Sequence, residues 1–401
     1  MKSCILAITF FVTTGSLAAQ SAWTQKADFA GGPARSWAFA VSIGSKGYMG
    51  MGVYNGIHDD WLEYDPVNDS WSQKATFPGG PTSRGSGFTI GTRCYYVCGI
   101  DSTGYEEDWV WEYDQTLNQW TQKGNFPDGH RQEGTGFSVG GYGYIGMGLS
   151  LDSMPPAVYH NDLWQYDPST DQWTQKSSLP SPPRVLPTSF VIGSKAYVGM
   201  GGYTTSFSDF WEYDPALDVW TQKAAYGGGV MNSAVGLSAG NKGYVGTGHP
   251  NSFLKVSIFC EYDPVLDQWT ILEHVPNNGR TIAAGFSLNG KIYIGTGYDS
   301  LGAFKKDLWC YDPASVGTGE RTTEISFAVY PNPSHGKFLI TATGSENMQV
   351  EIFDVNGRLV HSASAAGNTY HADLSHFESG IYIVRVTKGE LKKSERIVIS
   401  N

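Results

Sequence analysis

One residue recurs along this chain at a spacing that nearly dictates its architecture. Trp23, Trp71, Trp120, Trp173, Trp220 and Trp269 lie 48, 49, 53, 47 and 49 residues apart, and five of them open W-T-Q-K or W-S-Q-K. A Tyr-Asp pair precedes each later Trp, at Tyr64, Tyr113, Tyr166, Tyr213 and Tyr262, and a sixth stands at Tyr311. Earlier in the units come aromatic-glycine runs such as Tyr48-Met49-Gly50-Met51-Gly52 and Tyr197-Val198-Gly199-Met200-Gly201. Self-similarity at such a period means repeated supersecondary units, none of which buries its apolar face alone.

Each unit carries four short strand signals. In the first unit an inner strand, Ser36 to Ile43, mixes apolar and small residues, and Gly44-Ser45-Lys46-Gly47 reads as a hairpin turn. The second strand sets Gly50 and Gly52 on one face, where a neighbouring backbone can approach closely. A loop of variable sequence leads to a third strand, Trp61 to Tyr64. Asp65-Pro66-Val67-Asn68 has the Asp-Pro order of a type I turn, and a fourth strand starts near Trp71. One Trp and four strands per unit resemble the Kelch repeat over about residues 21 to 313, rather than the shorter WD40 repeat. The double glycine of that family appears mostly as Gly-x-Gly, with Gly201-Gly202 the true pair. The resemblance implies an all-β, six-bladed Kelch-type β-propeller. An orphan Trp23-Thr24-Gln25-Lys26 begins the array, and its last unit stops at Tyr311-Asp312-Pro313 without a Trp. The first segment is therefore expected to supply the outer strand of the last blade, which removes an open sheet edge.

The flanks divide the chain further. Lys2, an apolar core from Cys4 to Val12 and small residues Ser16 to Ala19 read as a signal peptide over 1–19, too short to span a bilayer. The propeller is expected over 20–313, a small, polar linker over 314–323, and a separate domain over 324–401. That last part holds Tyr330-Pro331-Asn332-Pro333, Asp354-Val355-Asn356-Gly357-Arg358, Asp373-Leu374-Ser375 and Gly380-Ile381-Tyr382-Ile383-Val384. Asn356-Gly357 between alternating runs predicts a hairpin, and seven or so short strands suit a small Ig-like β-sandwich. The motif series resembles the type A sorting domain of the type IX secretion system of Bacteroidota. The resemblance implies passage through the periplasm to the outer-membrane surface or the medium, with the secretion machinery as a partner.

A net charge of −11 opposes binding to a phosphate backbone, so nucleic acid is not an expected partner. Cys94 and Cys98 sit four residues apart on one predicted strand, a span of roughly 13 Å, beyond disulfide reach. These two, with Cys260 and Cys310, are read as free, buried core residues. Catalytic motifs are weak. Gly236-Leu237-Ser238-Ala239-Gly240 has the letters of a hydrolase elbow and Gly141 to Gly146 those of a dinucleotide loop. Both lack the helix that such motifs need. His58, His130, His160, His249 and His274 are scattered over different loops, unlike the copper ligands of galactose oxidase, which some Kelch proteins resemble. Glu106-Glu107-Asp108 reads as a solvated acidic face rather than a calcium loop. No metal or other cofactor is expected.

One charged pattern remains. Arg35, Arg84, Arg131, Arg184 and Arg280 open the inner strand in five of the six units. They either ring the central funnel and offer guanidinium forks to an anion, or pair structurally with carbonyls and carboxylates of the next blade. On the same face, variable loops carry Tyr54, Tyr105, Tyr159, Tyr203, Phe207, Phe253, Tyr298 and Phe304. Tyr105, Tyr159, Tyr203 and Tyr298 are the candidates for stacking on a sugar or docking a protein. The leading expectation is a secreted or surface recognition module for a glycan or extracellular protein. Its alternatives are a sugar-modifying enzyme resembling the Kelch sialic-acid mutarotases, with Glu133 or His130 moving protons, and a structural surface protein.

Overall fold

The computed structural model describes residues 21–151, 157–250, 255–316, 327–342, 347–355, 357–388 and 391–400. The expected signal peptide, most of the linker, Phe253 and Asn356 lie outside the described residues.

Residues 23–311 form a six-bladed β-propeller of four-stranded antiparallel sheets. Blade 1 runs Phe39–Ile43, Lys46–Gly50, Trp61–Asp65 and Ser70–Gln73 from axis to rim. Blades 2 to 5 repeat this order, with innermost strands Ser86–Ile90, Thr135–Val139, Thr188–Ile192 and Val235–Ala239. Blade 6 contributes Ala284–Leu288, Lys291–Gly295 and Leu308–Tyr311. Its outer strand is Trp23–Lys26, which pairs antiparallel with Leu308–Tyr311 in the register Trp23 to Tyr311. The first and last segments of the array thus close the ring, and the innermost strands touch one another all the way round.

The repeated aromatics hold neighbouring blades together. In every interface the Tyr of one second strand meets the Tyr-Asp tyrosine of the next blade, as in Tyr48–Tyr113 at 5.7 Å, Tyr95–Tyr166 at 5.3 Å and Tyr293–Tyr64 at 5.7 Å between ring centres. Each such pair contributes about 0.5–1.5 kcal/mol beyond area burial. The repeated Trp forms a second latch. Trp71, Trp120, Trp220 and Trp269 donate their indole N–H to the carbonyls of Ala27, Ala75, Ser177 and Ala224, on the segment leaving the preceding blade. A third latch comes from the turn after Tyr-Asp-Pro. Asp69, in the left-handed region at φ 48°, accepts from Tyr64 Oη at 2.7 Å and from Ala27 N at 2.9 Å.

The glycines of the second strand make room on both sides: a Cβ on Gly47 would strike the Phe286 ring of the adjoining blade, whereas Gly50 and Gly52 face their own blade. A Cβ on Gly50 would strike the Asp60 carbonyl, and one on Gly52, at φ 91°, would sit 2.6 Å from the Ser36 carbonyl. The close backbone approach expected at these glycines is thus made by the same blade's own fold-back, and Gly52 N also donates to the Thr82 carbonyl of the next blade at 3.0 Å.

The tail has seven strands in two sheets. Phe327–Tyr330, Lys337–Ala342 and Thr369–Asp373 make one; Met348–Asp354, Leu359–Ala365, Gly380–Lys388 and Leu391–Ile399 make the other. Residues of both, among them Phe338, Ile340, Ile352, Val384 and Ile397, share one core, as in a sandwich.

Candidate functional site

The arginines expected at the funnel divide into two kinds. Arg35, Arg131, Arg184 and Arg280 are fully or almost fully buried inside their blades. Each Nη1 donates to the carbonyl where the second strand ends, at Met51, Met147, Met200 or Thr296. Each also pairs with the Asp just before the third strand: Asp60 at 2.5 Å, Asp162 at 2.6 Å, Asp209 at 2.6 Å and Asp307 at 2.7 Å. Burial pushes the carboxyls of Asp162, Asp209 and Asp307 up, but the charge and hydrogen bonds of the paired arginine outweigh it and hold them below the usual range. These four guanidinium groups do not reach the funnel, and their partners lie in the same blade rather than the next.

The two blades without this pair lack both halves of it. Blade 2 has Thr82 and Trp109 at the Arg and Asp positions, and blade 5 has Met231 and Ile258. A buried charge without its partner is costly, so the two members are absent together. In blade 2 the space is taken by Tyr96, whose Oη lies 3.1 Å from Thr82 Oγ1.

Arg84 belongs elsewhere. It stands two residues beyond the buried-arginine position, in register with Trp37, Glu133, Leu186, Ser233 and Ile282. All six have positive φ, between 53° and 61°, and they line the central funnel together, around a space of about 140 Å³. Arg84 lies over the Trp37 ring at 4.9 Å and donates from Nη1 to Glu133 and Gln132, each at 3.1 Å. Its Nε is buried without a hydrogen-bond partner. Burial raises the Glu133 carboxyl above its usual range, against the lowering effect of Arg84. The His130 ring meets Tyr105 of the blade 2 loop at 5.1 Å.

The acidic run 106–108 is not a solvated face. Glu106 is buried, accepting from Gln132 Nε2 and the Leu151 N–H, each at 2.5 Å, while Asp108 accepts from Asn125. Asp128, His160 and Asp162 lie close enough to share a cation. The Arg131 guanidinium already bridges all three, so the cluster's cation is an arginine. Cys94, Cys98, Cys260 and Cys310 are free and buried.

A cleft of about 360 Å³ opens on the loop face over blades 4 to 6, between Gly202, Tyr203, Asn232, His249, Lys255 and Tyr298. Its origin is visible in the repeat. The residue after Gly-x-Gly is Val53, Ile100 and Leu149 in blades 1 to 3, but Gly202, His249 and Tyr298 in blades 4 to 6. At Gly202 a Cβ would stand 2.9 Å from the Thr205 carbonyl and 3.2 Å from Asn232 Nδ2, so the missing side chain opens the floor. The Lys255 ammonium lies over the Tyr298 ring at 5.0 Å. The His249 Nδ1 is 2.9 Å from Thr281 Oγ1, and burial together with the Lys255 charge lowers the imidazole below its usual pKa. Burial likewise lowers Lys255, against the raising effect of Asp299.

The four candidate tyrosines separate accordingly. Tyr203, 55% exposed, and Tyr298 both line this cleft. Tyr159 supports Tyr203 edge-on at 4.3 Å, whereas Tyr105 stays with His130 on blade 2. Tyr54 and Phe304 pack together at 5.0 Å beside Tyr298, and Phe207 lies under Arg184. Sequence reading did not single out Asn232 or Lys255 and left His249 among scattered histidines. Aligning the residue after each Gly-x-Gly was the signal that could have joined His249 to Tyr298.

Comparisons with known proteins bear on both parts of the chain. The solved structure of YjhT superposes with a TM-score of 0.61 at 16% identity, covering 71% of this chain and 96% of that one, a likeness of fold alone. Ulvan lyase NLR42 of Nonlabens ulvanivorans is 34% identical over 77 residues, which are 19% of this chain and 14% of that relative's length. Among the described residues no helix is long and apolar enough to cross a membrane. Residues 328–400 match the family described as the secretion system C-terminal sorting domain. The tail behind the propeller is therefore a type IX secretion sorting domain, and it points this chain to export, at the cell surface or outside.

Proposed function

We propose that this protein is an exported recognition module of the Kelch type, which binds a glycan through the loop face of its propeller. In this reading residues 1–19 are a signal peptide, 20–313 the propeller, 314–323 the linker and 324–401 a type A sorting domain as in Bacteroidota. The observation that carries the reading is the cleft over blades 4 to 6, where the repeat itself is broken to open it. Concave sites with exposed aromatic rings and a few convergent polar groups suit sugars, whose faces stack and whose hydroxyls need directed partners. Tyr203 and Tyr298 supply the rings; Asn232, His249 and Thr205 supply the polar groups.

A glycan microarray probed with the exported chain tests this. Binding is expected, and Tyr203→Ala or Tyr298→Ala should weaken it about tenfold, a loss near the upper end of one aromatic contact. Undiminished binding in both variants would refute the loop-face assignment. Binding only of a protein partner would replace the glycan.

The funnel supports a second reading, a sugar-modifying enzyme. There Arg84 would hold an anionic group and Glu133, protonated more readily than an exposed carboxyl, would transfer a proton. Turnover of a sugar acid that is lost in Glu133→Gln, with binding retained, would favour it. A purely structural surface role predicts no small-ligand response at either place.

A further inference from the structure

The chemistry of the cleft wall narrows its ligand. The chain carries 38 acidic against 27 basic residues, yet among the described residues lining the cleft there is no Asp or Glu, while Lys255 and His249 both line it. Asp299, whose charge reaches Lys255, is itself buried behind the wall and already paired with Lys305 at 2.7 Å. The wall therefore presents positive charge against the sign of the whole molecule. Burial and the Lys255 charge push His249 toward its neutral imidazole, and burial pushes Lys255 the same way against the Asp299 charge, so an anion set beside the two would favour their charged forms. The Lys255 ammonium also rests against Tyr298, which places the charge beside a ring face rather than at a solvent-exposed tip.

We infer that the cleft takes an acidic sugar, with its carboxylate or sulfate against Lys255 and His249 and its ring between Tyr203 and Tyr298. This deepens the loop-face reading and rests on it. The volume, about 360 Å³, lies at the small end of ligand pockets, which suits a short stretch of saccharide rather than a folded partner. Gly202 is the specificity element: with the Val, Ile or Leu found at its place in blades 1 to 3, the floor beneath the ring would be filled.

The test is titration calorimetry of the exported chain with three matched fragments: oligogalacturonate, sulfated galacto-oligosaccharide and neutral galacto-oligosaccharide. At least one acidic fragment should bind about tenfold or more tighter than the neutral one, the scale of one charge-assisted hydrogen bond. The two acidic arms decide between carboxylate and sulfate. Lys255→Met should abolish the preference, and Lys306→Met, which removes an exposed charge outside the cleft, should leave it. Equal affinity for neutral and acidic fragments, lost in Tyr203→Ala, would overturn the acidic assignment and leave the loop-face reading standing. An acidic preference that survives Lys255→Met with His249→Gln would place the anion elsewhere and overturn it too. Absence of binding by all three would overturn both.

Discussion

Replacing Arg35 by Met should destabilise the propeller far more than replacing Arg35 and Asp60 together. Arg35 is fully buried and Asp60 is 20% exposed; the two meet at 2.5 Å and 2.9 Å, and Arg35 also satisfies the carbonyls of Met51 and Gly31. Breaking a buried pair by removing one partner costs about 3–5 kcal/mol, and the partial exposure of Asp60 argues for the lower end, about 3 kcal/mol. For a large domain each kcal/mol moves the melting midpoint by about 2–4 °C, so Arg35→Met should lower it by roughly 6–12 °C. The double variant Arg35→Met with Asp60→Ile copies the pair that blade 5 uses, Met231 and Ile258. It removes both charges at once and should recover most of the loss, because a well-packed apolar replacement of a buried ion pair is often neutral. Blade 1 is the favourable place for this cycle, since Leu62 stands where Trp164, Trp211 and Trp309 bond their blades' aspartates. Urea unfolding of the wild type, both single variants and the double gives the coupling energy directly. A double variant as unstable as the sum of the two singles would show that Arg35 and Asp60 are not coupled.

Further expectations concern closure, acid and thiols. Trp23 is 5% exposed, packs on Phe259 and Tyr311, and donates to the Glu273 carbonyl, so Trp23→Ala should cost about 3 kcal/mol or more. Hydrogen exchange should rise first along Leu308–Tyr311, and an unchanged unfolding midpoint would contradict the role of closing strand. Asp162, Asp209 and Asp307 have native pKa values held below the ordinary carboxyl range. Their contribution is complete above the unfolded pKa near 4 and is lost as pH falls through the depressed native values. The urea midpoint should therefore fall steeply below pH 4, less steeply in Arg184→Met with Asp209→Ile; a flat midpoint from pH 4 to 2 would count against the pairs. Burial pushes the thiols of Cys94 and Cys98 well up and that of Cys260 up to about 12. Iodoacetamide at pH 8 should leave them unmodified until urea unfolds the chain, and rapid native labelling would show the core is more open than described.

Much of the scaffold is readable from letters because its contacts are local to the repeat. The Trp, the Tyr-Asp pair and the turn aspartate each serve one latch between blades, so they recur at one position, and the missing Trp of the last unit foretells the closing strand. The arginines show the limit. Arg84 falls near the others in sequence, but a shift of two residues moves a side chain from the blade interior to the axis. That shift is visible only through the partner, since blades with the buried Arg carry Asp60, Asp162, Asp209 or Asp307 and blade 2 carries Trp109. The cleft was harder still, because it depends on a side chain that is absent at Gly202 and on residues from three blades that come together only around the ring.

Hydrogen-exchange footprinting of the exported chain with its bound saccharide decides whether the ligand sits on the loop face. New protection is expected at residues 202–206, 249 and 298, with the funnel residues Arg84 and Glu133 unchanged. Protection confined to the funnel, or spread over none of these segments at saturation, would contradict it.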